Sequence, residues 1–248
     1  MDIVSLAPSN TEILYEIGAG DSVVATTALC DRPEKAAKLP SVGGWTNPKI
    51  SRIHEFSPDL VLASDDLQDE AVSRIEEEGF PVIQVKPHSL EEVYESILEV
   101  GEAVGHLVEA ENLVDTMREE IEGLEVRGSP RVYFEEWMDP PMASGNWITG
   151  ILKEIGAEPF LKSGERSREI KPSKIRKFDP EHILLNICGA GENLDPDPVI
   201  EREGWQDIAA VENENVSVVD DSLFNRPGPR LTEAAKVTKK MIEESNSD

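Results

Sequence analysis

Two thiols and four imidazoles are the groups in this chain best suited to nucleophilic or metal chemistry. Their spacing serves neither. Cys30 and Cys188 stand far apart, as neither a disulfide framework nor a CxxC metal pair. His54, His88, His106 and His182 are scattered, with no HxxxH or HExxH phrase to set two imidazoles on one helix face. Gly18-Ala19-Gly20 and Gly189-Ala190-Gly191 lack the third glycine and the flanking strand–helix order of a dinucleotide fingerprint. There is no GxxxxGK[ST] and no GxSxG, and no local phrase assembles Ser, His and Asp into a triad. No catalytic residue, resident cofactor or metal site is therefore expected. What remains is recognition chemistry. Trp45 follows Gly43-Gly44, a pair that favours an exposed loop over a packed strand. Trp137 and Met142 flank Pro140-Pro141, which stiffen their loop. Arg226, beside Phe224, offers a guanidinium to amides or carboxylates.

These residues must be held by an α/β framework. Short apolar runs read as strands at Ile3-Val4-Ser5-Leu6, Val23 to Thr27, Leu60 to Ala63 and Pro81 to Val85. Helices alternate with them. One is capped by Ser9-Asn10-Thr11-Glu12 and ended by Gly18 and Gly20, one runs from Ser51 to Phe56, and one from Asp69 to Glu78. This alternation implies a parallel sheet covered on both faces. From Ser89 to Leu124 the period becomes helical, and Gly101 and Gly105 interrupt it only weakly. A second α/β region follows. Its strands are Arg131 to Glu135, Ile183 to Ile187 and Val216 to Val219. Its helices are Asn146 to Ile155, Ser173 to Phe178 and Pro229 to Glu244. The expected organisation is an N-terminal α/β lobe over 1–88, a helical backbone linker over 89–127 and a C-terminal α/β lobe over 128–248. A single stiff crossing joins the lobes.

The chain has 248 residues, enough for one large domain or two small lobes. Its 24 Lys and Arg face 50 Asp and Glu, for a formal charge of −26. That argues against nucleic acid and anionic membrane surfaces as natural partners, because both require clustered cations. No apolar stretch reaches membrane-spanning length. The acidic excess is spread over the whole chain and reads as adaptation to high salt, where carboxylates keep a surface hydrated while their repulsion is screened.

Three phrases in the first half recur together in one family. They are Ser5-Leu6-Ala7-Pro8-Ser9-Asn10-Thr11-Glu12-Ile13-Leu14, Cys30-Asp31-Arg32-Pro33 with Val42-Gly43-Gly44-Trp45, and Pro58-Asp59-Leu60-Val61-Leu62-Ala63. With the layout, they resemble the helical-backbone substrate-binding proteins of ABC importers, which carry metal chelates such as cobalamin, haem and ferric siderophores. Glu136 to Met142, Ser167-Arg168-Glu169, Asn186-Ile187-Cys188-Gly189 and Phe224 to Arg230 resemble the cobalamin-binding branch. The resemblance covers essentially the whole chain.

It implies two α/β lobes with central parallel-rich sheets joined by a long backbone helix, and a ligand cleft between the lobes. A corrinoid, most simply cobalamin, is the implied ligand, with a ferric siderophore or haem as the alternative. Pro8, Ser9 and Asn10 are expected on the rim, Trp45, Trp137, Met142 and Phe224 as apolar walls, and Arg226 as a polar anchor. Cys30 is a candidate ligand to the chelated metal, and Cys188 a weaker one. Glu70 and Glu169 match the carboxylates, one per lobe, that dock on permease arginines. Ser64 and Ser163 stand where the family's vitamin B12 receptor has Trp, which removes stacking area. The protein is expected to be a monomer without membrane insertion.

Met1 leads directly into the first strand with no basic n-region, apolar h-region or lipid-attachment cysteine. As written the chain is untargeted, which raises a second expectation, a cytoplasmic corrinoid-handling protein or enzyme.

Overall fold

A computed structural model describes residues 1–244; the expected end of the second lobe at Asp248 lies outside the described residues. Contacts divide the chain into two compact units, Met1–Pro87 with Glu92–Thr116, and His88–Glu91 with Met117–Asp248.

The first unit is built from β1 (Ile3–Ser5), α1 (Pro8–Glu16), β2 (Val23–Thr26), α2 (Ile50–Phe56), β3 (Leu60–Ser64), α3 (Asp69–Glu77) and β4 (Val82–Val85). All four strands are parallel, in the order β2-β1-β3-β4. Both faces of the sheet are covered. Val4, Leu6, Val61 and Ala63 pack with Ile53 of α2 and with Val72 and Ile75 of α3. Ser5, on the opposite face, accepts from the Thr11 hydroxyl of α1 at 2.8 Å. Each fully buried Val, Leu or Ile contributes roughly 1.5–3 kcal/mol.

The helical segment is α4 (Leu90–Val104) followed by α5 (Leu107–Glu122). The helical stretch expected over Ser89 to Leu124, a short helix joined to a long one, is two helices of similar length. Gly105 breaks it by taking φ +77°, a left-handed conformation that a side chain resists, and the His106 N–H closes the end by donating to the Gly101 carbonyl at 2.8 Å. The boundary between units falls within this segment, so its residues 92–116 pack with the first unit and those from Met117 with the second.

The second unit contains β5 (Arg131–Met138), β6 (Pro141–Ala143), α6 (Asn146–Glu154), β7 (Glu158–Pro159), β8 (Arg168–Glu169), α7 (Pro172–Phe178), β9 (His182–Leu185), α8 (Asp197–Ile200), α9 (Ala209–Glu212), β10 (Val216–Val218), α10 (Asp221–Phe224) and α11 (Leu231–Glu244). The sheet order is β10-β9-β5-β6-β8, with β7 beside β5. β10, β9, β5 and β7 run parallel, while β6 and β8 pair antiparallel. One core holds Tyr133, Ile175, Ile183, Leu185, Val199 and Trp205. On the other side of β5, Phe134 meets Phe224 at 5.3 Å between ring centroids.

Candidate ligand-binding site

In open parallel sheets, ligands gather beyond the carboxyl ends of the strands, where the strand order reverses. In the first unit that point lies between β1 and β3. The loops there are tied together by neutral amides. Gln68 is fully buried. Its Oε1 accepts from the Ser64 N–H at 2.6 Å, and its Nε2 donates to the carbonyls of Leu6 at 3.3 Å and Trp45 at 2.6 Å. One side chain therefore joins the loops that follow β1, β2 and β3. Asn10 Nδ2 donates to the Ala63 carbonyl at 2.8 Å, and Thr27 Oγ1 donates to the Leu6 carbonyl at 3.2 Å. Asp65 takes φ 66° and ψ 152°, a region otherwise left to glycine, and its carboxylate accepts from the Leu67 N–H at 2.8 Å. The loop so bent leaves Leu67 exposed. Two enclosed polar atoms here, Asn10 Oδ1 and Trp45 Nε1, have no partner among the described residues.

This geometry changes several expectations. Ser9, Asn10, Thr11 and Glu12 do not cap α1. Pro8 occupies its first turn, Ala7 is the cap, and these four residues lie buried inside the helix. A proline needs no N–H partner at that position, so the helix starts earlier than the Ser/Asn signal suggests. Pro8 alone of the trio is partly exposed; Ser9 and Asn10 are packed residues beneath the rim rather than contacts on it. Cys30 is 2% exposed, with Sγ 3.4 Å from Thr27 Oγ1. Placed there it is a small packing group, enclosed by the protein and not open to a chelated metal. Trp45 is partly exposed in its loop. Glu70, in the first turn of α3, is exposed.

The corresponding edge of the second unit is built on charge. β5 and β6 form a hairpin that pairs Trp137 with Met142 and Met138 with Pro141, and a register shift falls between Glu135 and Trp137. Trp137 is 48% exposed and its indole N–H donates to the Asp139 carbonyl at 3.0 Å. Met142 is partly exposed and sits in register with Glu169 of β8, itself exposed. Beneath the hairpin, Glu135 is fully buried. It accepts from both Arg202 nitrogens at 2.8 and 2.9 Å and from the Tyr133 hydroxyl at 2.9 Å. Burial pushes the Glu135 carboxyl up, against the pull of Arg202 and Tyr133. Burial, with Glu135 adding, also raises the Tyr133 phenol. Neighbouring Glu136 accepts from Ser167 Oγ at 2.8 Å, yet burial still lifts it above the ordinary carboxylate range.

Asn186, at the end of β9, donates to Asn225 Oδ1 at 2.9 Å and accepts from Ser144 Oγ at 2.8 Å. Asn225 Nδ2 reaches Cys188 Sγ at 3.2 Å. Asp221 accepts from the Gly189 and Gly191 N–H groups at 2.8 and 2.9 Å. The Cys188 residue reaches the surface. Desolvation of its sulfur, with the charges of Glu136 and Asp221, pushes the thiol up to about 11, so it is protonated and a poor metal ligand at neutral pH.

Phe224 corrects another expectation. It is 1% exposed against Phe134, a core aromatic and not a wall open to a ligand. Trp147 is partly buried, and its N–H donates to the Phe224 carbonyl at 2.7 Å. Arg226 is half-buried just beyond α10. The structure thus brings Trp137 and Met142 onto one hairpin, with Glu169 of β8 beside it, and Pro8, Trp45 and Gln68 onto one loop cluster. Sequence reasoning missed Gln68, Glu135 and Arg202. The charged residue at an inward position of a strand, Glu135 between Phe134 and Trp137, was the one available signal. Among the described residues no group of His, Cys, Asp and Glu is placed to hold a metal ion, and no helix is long and apolar enough to cross a membrane.

Two units of parallel-rich sheet with polar-locked carboxyl-end loops define the class of a solute-binding protein. The chain belongs to the periplasmic binding protein family, whose model matches residues 3–223. It is 30% identical over 248 residues to the uncharacterized ABC transporter substrate-binding lipoprotein YvrC of Bacillus subtilis, covering 94% of this chain and 77% of that one. It is 26% identical to the vitamin B12-binding protein of Pectobacterium carotovorum, covering 94% and 85%. A possible iron-binding (periplasmic solute-binding) protein of Staphylococcus epidermidis shares the fold, with a TM-score of 0.84, 24% identity and coverage of 97% and 98%.

Proposed function

We propose that this chain is the substrate-binding component of an ABC importer and that its ligand is a corrinoid, with cobalamin the first candidate. The observation that carries this reading is the exposed Trp137–Met142 hairpin edge in a chain related along 94% of its length to a vitamin B12-binding protein. A corrin is a broad, amphipathic plate. It is best held by a few aromatic and aliphatic surfaces on rigid loops, with polar groups for its peripheral amides. Trp137 and Met142 supply such a surface on the second unit, and Trp45 is its counterpart on the first. Arg226 is the polar anchor. Binding on preformed loops needs no catalysis, and Glu70 and Glu169 are the carboxylates through which the loaded protein engages a permease.

A ferric chelate is the second reading, and one observation favours it. Within a chain of charge −26, the stretch around β8 is cationic, with Lys162, Arg166, Arg168, Lys171 and Lys174 against Glu165 and Glu169. An anionic siderophore or haem would be drawn to that edge.

The test is an equilibrium titration with aquocobalamin, cyanocobalamin, hemin and a ferric siderophore in molar KCl, following Trp fluorescence and the ligand spectrum. Saturable one-to-one binding of the cobalamins is the expected result. Binding of hemin or the siderophore alone replaces the corrinoid with the ferric chelate. Binding of none by folded protein rejects both ligand readings.

A further inference from the structure

The hairpin that carries Trp137 and Met142 has a defect in its own ladder. Its pairing shifts register between Glu135 and Trp137, so regular strand bonding fails just where the strand leaves the core for the rim. A hairpin joined through Asp139-Pro140 and bulged on one strand does not fix the direction of an exposed indole by backbone bonds alone.

A side chain from a distant part of the unit spans the defect. Arg202, beyond α8, donates through Nη1 to Glu135 Oε2 at 2.9 Å and through Nη2 to Glu135 Oε1 at 2.8 Å. The same Nη2 donates to the Met138 carbonyl at 2.8 Å. One guanidinium therefore holds the strand on both sides of the irregularity, at Glu135 before it and Met138 after it. The guanidinium is itself fixed. It lies 4.3 Å from the ring centroid of Trp205, which is fully buried, and the Arg202 carbonyl accepts from the Trp205 N–H at 3.0 Å and from Gln206 Nε2 at 3.1 Å. Only a planar fork can serve a bidentate carboxylate and a third acceptor while stacked on an indole; an ammonium cannot.

We propose that Arg202 is a positioning residue for the rim hairpin, and that by holding Glu135 and Met138 together it sets the direction of Trp137 and Met142 and hence the affinity for the chelate. The affinity clause rests on the ligand reading above; the hairpin clause does not. A structural ion pair would stabilise the whole unit evenly. A positioning clamp acts on the hairpin first.

The experiment is residue-resolved hydrogen exchange on the full chain as wild type, as Arg202→Lys, and as the charge-neutral pair Arg202→Met with Glu135→Gln. The pair leaves no buried lone charge and guards against a variant that fails to fold. The expected result in both variants is exchange faster by roughly tenfold or more at the Trp137, Met138 and Met142 amides, with the Ile183 and Val219 amides of the β9 edge unchanged. Uniform acceleration across all these amides, or wild-type exchange in the neutral pair, overturns the proposal. In parallel, whichever of aquocobalamin and hemin the wild type binds should bind Arg202→Lys roughly tenfold more weakly; unchanged affinity overturns the affinity clause. Failure of the wild type to bind either chelate sinks the ligand reading and that clause with it, while the exchange data still decide whether Arg202 positions the hairpin.

Discussion

The two units hold their carboxyl-end loops by different chemistry. The first uses neutral amides, with Gln68 and Asn10 donating to and accepting from backbone groups. The second uses buried charge, with Glu135 against Arg202 and Glu136 against Ser167. An amide network is indifferent to pH, and each lost bond costs modestly. A buried ion pair adds little net stability over an apolar replacement, but removing one partner is costly because the other is stranded without water. The first edge is therefore the more robust and the second the more sharply specified.

The largest expected effect breaks the charged side. Arg202→Met leaves Glu135 buried and alone with Tyr133, and should lower unfolding stability by about 3–5 kcal/mol in urea titrations. A loss no greater than that of an exposed substitution would mean that water reaches Glu135. Next comes the amide side. Gln68→Ala strands the Ser64 N–H and the Trp45 carbonyl and leaves the Leu6 carbonyl with Thr27 alone, and should cost about 1–3 kcal/mol by the same measurement, with no dependence on pH.

The smallest effect sharpens the contrast through protons. The folded-state carboxyl of Glu136 is raised above its unfolded value by burial. The folded protein thus holds that proton to higher pH than the unfolded chain does. Its contribution to stability is present below the ordinary carboxylate pKa and is lost as pH rises through the raised one. Glu136→Gln should remove this decline, so its Tm advantage over wild type grows from acid toward neutral pH. An advantage that shrinks over that range would show that Glu136 is held charged, with a lowered pKa.

Much of the frame was legible because period and punctuation are local. The alternation of apolar strands and short helices in the first unit emerged as a four-stranded parallel sheet, and the helices expected over Ser173 to Phe178 and Pro229 to Glu244 are α7 and α11 of the second. The β6 and β8 strands escaped notice because each is only two or three residues long, too short for a period of two to show. Gly105 read as a weak interruption because propensity does not reveal φ; the left-handed turn is imposed by how α4 and α5 pack, with Gly101 lying against Ala110.

The candidate site was legible by residue type and not by burial. Trp137, Met142 and Trp45 were singled out as apolar groups on stiff or glycine-rich loops, and they are partly or largely exposed. Phe224 and Cys30 carry equally suitable chemistry, yet tertiary packing encloses them. Nothing local marks Gln68 and Arg202, since their partners are backbone groups and a carboxylate remote in sequence.

The central question is whether the Trp137 edge meets a corrinoid. The most direct measurement is an aquocobalamin titration of wild type and Trp137→Ala under one condition, molar KCl at neutral pH, with unfolding curves to show that both are folded. A rim aromatic in contact with ligand should cost about 2 kcal/mol on truncation, a weakening of roughly 30-fold. Tight binding by the wild type with identical affinity in Trp137→Ala would contradict the claim and move the ligand away from this hairpin.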